Sequence, residues 1–234
     1  MRWRFVLSVL LAGLAAPVWA EQVVFDLSIR GLRAGTLTFA GQEEAGRYSV
    51  SGRLESAGLV GMVRRVRYDG QAQGVLRNGR FTPARYSEQA DTGRRQSESV
   101  MEYRRGVPQV KVYNPPRDPN TDGLDPATQG GTVDPLTALF ATLRDVPAGQ
   151  ECNRKLTLFD GKRRSQIVLG APQPTESGVA CPGEYRRLEG FSADDVAEKS
   201  RFPFTVQMVP VGQMMRVTEV TMESLYGNAR LKRR

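Results

Sequence analysis

The sequence predicts an all-β fold: mainly an antiparallel meander, forming a strongly curved sheet or partly open β-barrel that carries one amphipathic helix. Three observations carry this expectation. Runs with β-branched or aromatic residues at period two follow one another from Val23 to Tyr113 and resume at Cys152. Gly, Pro, Asn and Asp punctuate them at short, regular intervals, as neighbour-to-neighbour hairpin pairing requires. Between the two sets the period changes: Leu136, Leu139, Phe140 and Leu143 fall at i, i+3, i+4 and i+7, one face of a helix.

In chain order, the N-terminus MRWRFVLSVLLAGLAAPVWA places Arg2 and Arg4 ahead of an apolar run that ends in Val18-Trp19-Ala20. This is the pattern of a secretory signal peptide over residues 1–20, cleaved after Ala20. The run is shorter than the roughly 18 to 20 apolar residues of a membrane-spanning helix. No Cys follows the cleavage position to take a lipid. The expectation is one periplasmic domain over residues 21–234, soluble and not membrane-spanning.

VVFDLSI, GTLTFAG, RYSVSGRL, RVRYDGQAQ, RFTPARYSE, SESVMEYR and QVKVY read as successive strands, with Arg77-Asn78-Gly79-Arg80 as a hairpin signature. A helix at about 133–145 follows, with Thr132 or Asp134 as its cap and Pro135 at the first helical position. CNRKLTLF and KRRSQIVL form a second hairpin around Asp160-Gly161, which the sequence alone makes a two-residue turn with both residues at positive φ. VACPGEYRRLEGF, PFTVQMVP and MMRVTEVTMESLYG continue the sheet. SADDVAEK is a short polar helix or turn, and ARLKRR reads as a basic tail with nothing to bury. A membrane-spanning barrel is disfavoured, because strands such as SESVMEYR place Glu98 and Glu102 on the face that Val100 would share with lipid.

Lys and Arg number 33 against 25 Asp and Glu, a net charge of +8. Arg2 and Arg4 leave with the leader, and the remaining excess favours anionic partners. The basic residues are scattered as pairs such as Arg94-Arg95 and Arg186-Arg187 and form no single block. Nucleic acid is not an expected partner for an exported chain. Cys152 and Cys181 are the two cysteines, and in an oxidising compartment an even pair argues for one disulfide.

Several of these segments together resemble a known family. Gly-Thr-Leu-Thr-Phe after a short first strand, Thr132-Val133-Asp134-Pro135-Leu136 at a helix start, Cys152 ahead of Phe159-Asp160-Gly161-Lys162, and Cys181 ahead of Tyr185 and Gly190 are similar to the exported bacterial family catalogued as domain of unknown function 3108. The resemblance implies a periplasmic, β-rich envelope protein. It supplies no activity and no catalytic residues.

The chain contains no His, which removes Ser-His-Asp and Cys-His mechanisms, HExxH metalloproteases and most catalytic zinc sites. Neither a Ser-x-x-Lys dyad nor a Gly-rich phosphate loop occurs, and Asp194-Asp195 suits helix capping better than paired acid-base work. No enzyme and no cofactor are therefore expected. DPNTDG matches a calcium loop at Asp118, Asn120, Asp122 and Gly123. Gln129 stands at the twelfth position, where a bidentate Glu is needed, so no metal is expected there either. The binding candidates are the helix face Leu136, Leu139 and Phe140, and the basic hairpin tip Lys162, Arg163 and Arg164. They support two readings: a non-enzymatic envelope protein that holds a lipid-like or other apolar ligand, or a structural protein that docks an envelope partner or anionic polymer through its basic surface.

Overall fold

A computed structural model describes residues 22–58, 61, 65–116 and 123–234. The expected leader cleavage after Ala20 and the Asp118, Asn120 and Asp122 stretch lie outside the described residues. The first run of strands is β1 (Gln22–Ile29), β2 (Leu32–Glu44), β3 (Arg47–Ser56), β4 (Arg67–Arg77), β5 (Arg80–Asp91), β6 (Gln96–Arg104) and β7 (Val107–Asn114). Helix α1 (Pro135–Leu143) separates it from β8 (Val146–Pro147), β9 (Arg154–Phe159), β10 (Arg164–Leu169), β11 (Gln173–Thr175) and β12 (Gly178–Glu189). A short α2 (Ala193–Glu198) then precedes β13 (Arg201–Val211), β14 (Met214–Ser224) and β15 (Gly227–Arg233).

The strands make one antiparallel sheet in the order β7-β6-β5-β4-β3-β2-β1-β15-β14-β13-β12-β10-β9, strongly curved and open. Tight turns join the first run. Arg30-Gly31, Ala45-Gly46, Asn78-Gly79 and Arg105-Gly106 each hold both residues at positive φ, the two-residue geometry whose twist matches that of the flanking strands. The end strands β7 and β9 are bridged by the crossover that leads to α1. Val133 donates to the Thr157 carbonyl and accepts from Phe159 N on β9, both at 2.9 Å, while Gly131 N reaches the Gly106 carbonyl at the β6–β7 turn, also at 2.9 Å. No helix among the described residues is long and apolar enough to cross a membrane.

Helix α1 starts where capping chemistry places it. Asp134 is the N-cap, its Oδ1 accepting from Thr137 N at 2.8 Å, and Pro135 takes the first helical position. The helix packs onto the concave side of the sheet because that side is cut away to receive it. A Cβ on Gly41 would lie 2.3 Å from the Phe140 ring, and one on Gly52 would lie 2.8 Å from Leu136, so both positions admit only hydrogen. Phe140 then meets Phe39, Tyr48 and Phe81 at ring-centroid distances of 6.1, 6.5 and 6.1 Å. Cys152 and Cys181 form a disulfide with Cα atoms 5.5 Å apart, fixing the start of β9 to β12.

Two expectations are corrected. ARLKRR is not a loose tail: it lies in β15, between β1 and β14, and is where the two halves of the sheet meet. Ala229 and Leu231 are half-buried at period two, the Arg233 guanidinium reaches Asp145 Oδ1 at 2.5 Å, and Arg234 pairs with Asp26. The Asp160-Gly161 turn is also wider than two residues. Phe159 pairs with Arg164, and the Asp160 carboxylate accepts from Lys162 N and Arg163 N at 2.8 and 2.7 Å. Gly161 alone in this loop takes positive φ. An Asp side chain that bonds two backbone amides ahead of it stabilises a four-residue loop that the Asp-Gly pair by itself does not reveal.

Candidate functional site

The concave interior brings together groups that are far apart in sequence. Tyr48 (β3), Tyr86 (β5) and Tyr103 (β6) occupy inward positions, and the first turn of α1 sets Asp134 and Thr137 among them. Thr137 Oγ1 donates to Asp134 Oδ2 at 2.6 Å and bonds the Tyr48 hydroxyl at 2.8 Å. Asp134 is fully buried, and loss of solvent pushes its carboxyl up to about 6 in spite of the opposing Thr137 hydrogen bonds. Burial likewise raises the three tyrosines, with the Asp134 charge adding to the effect in each. Tyr86 donates to Glu88 Oε2 at 2.6 Å, and burial raises Glu88 as well. At the far end of α1 the Arg154 guanidinium donates to the Ala141 and Gln150 carbonyls, where a cation suits the helix dipole. Burial lowers it to about 10, with the neighbouring Arg144 contributing.

Chemically, this cluster is a helix anchor. Asp134, Thr137 and Tyr48 spend their hydrogen bonds on the N-cap and the hydroxyl chain, Asp134 is fully buried, and the buried Tyr103 hydroxyl alone is left without a partner among the cluster's hydroxyl and carboxyl groups. Among the described residues no three His, Cys, Asp or Glu side chains converge as a metal site.

The sequence candidates fall in two separate places. Phe140 is buried in the aromatic core, with Leu136 and Leu139 half-buried beside it against the same cluster. The basic hairpin is drawn into packing as well. Arg163 lies 5.2 Å over the Phe191 ring, on whose other contact Arg187 sits at 5.4 Å. Arg164 Nη1 approaches Gln129 Oε1 at 3.4 Å, and the Lys162 carbonyl accepts from Leu124 N at 3.1 Å. All three basic residues are half-buried.

The face of β2–β6 turned away from α1 offers the open surface. Outward side chains form cross-strand rungs, and one rung is low: Ala40 pairs with Ser51, Ser51 with Gln71, and Gln71 with Ser87. Taller rungs stand on either side. One carries Arg53 and Arg67 on Asp69, at 2.6 and 2.5 Å; the other carries Arg85 on Glu102, at 2.8 Å. Two adjoining hollows of about 720 and 500 Å³ share the low rung.

Residues 24–174 match the family described as a protein of unknown function, DUF3108. The chain belongs to the DUF3108 family. No curated protein matches the chain. Its fold is similar to the crystal structure of a β-barrel-like protein of domain of unknown function DUF1849 from Brucella abortus, with a TM-score of 0.54 and 16% identity, covering 94% of this chain and 98% of that one. At that identity the likeness concerns the fold.

Sequence reading missed both the buried tyrosine–carboxylate cluster and the trough of this DUF3108 chain. The cluster gave no local signal, because its members come from three strands and a helix start. The trough left a faint one: Ser49-x-Ser51, Gln71-x-Gln73 and Ser87-x-Gln89 put small or amide side chains outward on three successive strands.

Proposed function

We propose that this protein is an exported, non-catalytic envelope component that works by binding through the outer surface of its sheet. The observation that carries this reading is the filled interior: Phe140 occupies the notch at Gly41 and Leu136 the one at Gly52, so the face that could have lined an apolar ligand is packed against the protein's own backbone. The buried acids support the same reading, since Asp134 is held by Thr137 and presents no free oxygen to a substrate. The apolar leader over residues 1–20 and the Cys152–Cys181 disulfide support export to an oxidising compartment.

A photo-crosslinking residue at Ser51 or Ser87 in cells should give adducts in the periplasmic fraction, and one at Phe140, buried in the aromatic core, should give none. Recovery of the full-length chain from the cytoplasm, or a co-purifying lipid that crosslinks at Phe140, overturns the reading.

A further inference from the structure

The low rung on the outer face has the dimensions and chemistry of a polymer track. We propose that the trough across β2–β5 binds an extended, uncharged glycan, an inference that rests on the outer-surface reading above and names its ligand class. Neighbouring strands are about 4.8 Å apart, so the track from β2 to β6 is about 19 Å long. One strand spacing is close to the advance of one pyranose ring in an extended 1,4-linked chain. The two walls lie two residues to either side of the low rung along the strands, about 13 Å from each other, which admits one glycan chain lying flat.

The floor supplies what a polyol needs. Ser51 and Ser87 hydroxyls each donate and accept, and the Gln71 amide does both at once, so a chain with hydroxyls of both roles on every ring finds a partner on each of β3, β4 and β5. Ala40 and Val100 add apolar contact for the C–H faces of the rings. The walls argue against an anionic ligand, because their cations are already engaged and further carboxylates stand beside them: Arg53 and Arg67 share Asp69, Arg85 holds Glu102, and Glu55 and Glu98 line the same hollow. The net charge of +8 is therefore not concentrated on this face. Both hollows fall within the range of about 300 to 1,000 Å³ typical of ligand sites, and they adjoin along the low rung.

The test uses the isotope-labelled exported protein titrated with chitohexaose, chitobiose and, separately, a Ser/Asn-rich peptide of similar length, followed by amide and side-chain shifts. The hexamer should bind about tenfold or more tightly than the dimer, with shifts confined to the outward residues of β2–β5. A Ser51→Arg/Ser87→Arg variant fills the track from outward-facing positions and should lose that binding about tenfold or more, while Thr221→Arg, exposed on β14, should retain it. Melting curves matching the parent's show that either variant is folded. Equal binding of dimer and hexamer, binding untouched by the double variant, or a preference for the peptide overturns the glycan inference. No glycan binding alongside intact crosslinking at Ser51 or Ser87 overturns this inference and leaves the outer-surface reading standing, whereas loss of both removes the two together.

Discussion

Asp134→Asn probes the buried cap at the start of α1. In the folded protein the Asp134 carboxyl is pushed from its ordinary 3.8 up to about 6, chiefly because it has lost water. A group that holds its proton more tightly when folded adds stability that is fully present below its unfolded value. That contribution is lost as pH rises through the folded value. At about 1.4 kcal/mol per pH unit, ionised Asp134 costs the fold about 3 kcal/mol above pH ~6. Asn removes the ionisation and remains a good N-cap. Its Oδ1 can still accept from Thr137 N, and its Nδ2 can donate to Thr137 Oγ1, which then donates onward to the Tyr48 hydroxyl. The hydroxyl chain reverses and leaves the buried Tyr48 O–H without an acceptor, which offsets about 1 to 3 kcal/mol of the gain, so the variant should be more stable than the parent by up to about 2 kcal/mol near pH 8. The difference should shrink toward zero as pH falls to about 4. Urea unfolding of both proteins across that range measures it. Taking the difference cancels Glu88, which titrates with the same sign in each protein. An Asn variant that is less stable near pH 8, with an unchanged pH slope, would refute the reasoning, since ionised Asp134 would then be stabilising.

Further expectations concern the framework. Reducing the disulfide, or Cys152→Ser with Cys181→Ser, opens a link with a sequence separation of 29. It should lower stability by about 3 to 4 kcal/mol in the chain-entropy account, read as a shifted urea midpoint. Phe140→Ala deletes the ring that Phe39, Tyr48 and Phe81 surround and should cost about 3 to 5 kcal/mol. Truncation after Asn228 removes most of β15 and separates β1 from β14. Loss of the cooperative unfolding transition is expected, and a truncated chain that melts like the parent would show that the C-terminal strand is dispensable. Outward substitutions in the trough, as in Ser51→Arg, should leave the melting curve within about 0.5 kcal/mol of the parent.

By itself the sequence determined the local elements. Period-two alternation located most strands, since one buried face is all that alternation needs. The helix was legible from Asp134-Pro135 followed by Leu136, Leu139, Phe140 and Leu143, where cap and apolar stripe agree. Asn78-Gly79 specified its hairpin through positive φ, and a chain with two cysteines left one possible pairing. Tertiary structure decided what depends on which strands become neighbours. β15 looks like a charged tail because Arg230 and Lys232 point outward. Its half-buried Ala229 and Leu231 acquire meaning only when β1 and β14 lie on either side of it. The Asp160 loop depended on a side chain bonding forward to two amides, which the Asp-Gly pair does not announce. The Asp134–Thr137–Tyr48 chain joins residues 89 positions apart, and the outer trough exists because Ala40, Ser51, Gln71 and Ser87 fall on one rung in four different strands. Alternation tells each strand which face is inside, but register and curvature arise between strands, and those determine which side chains meet.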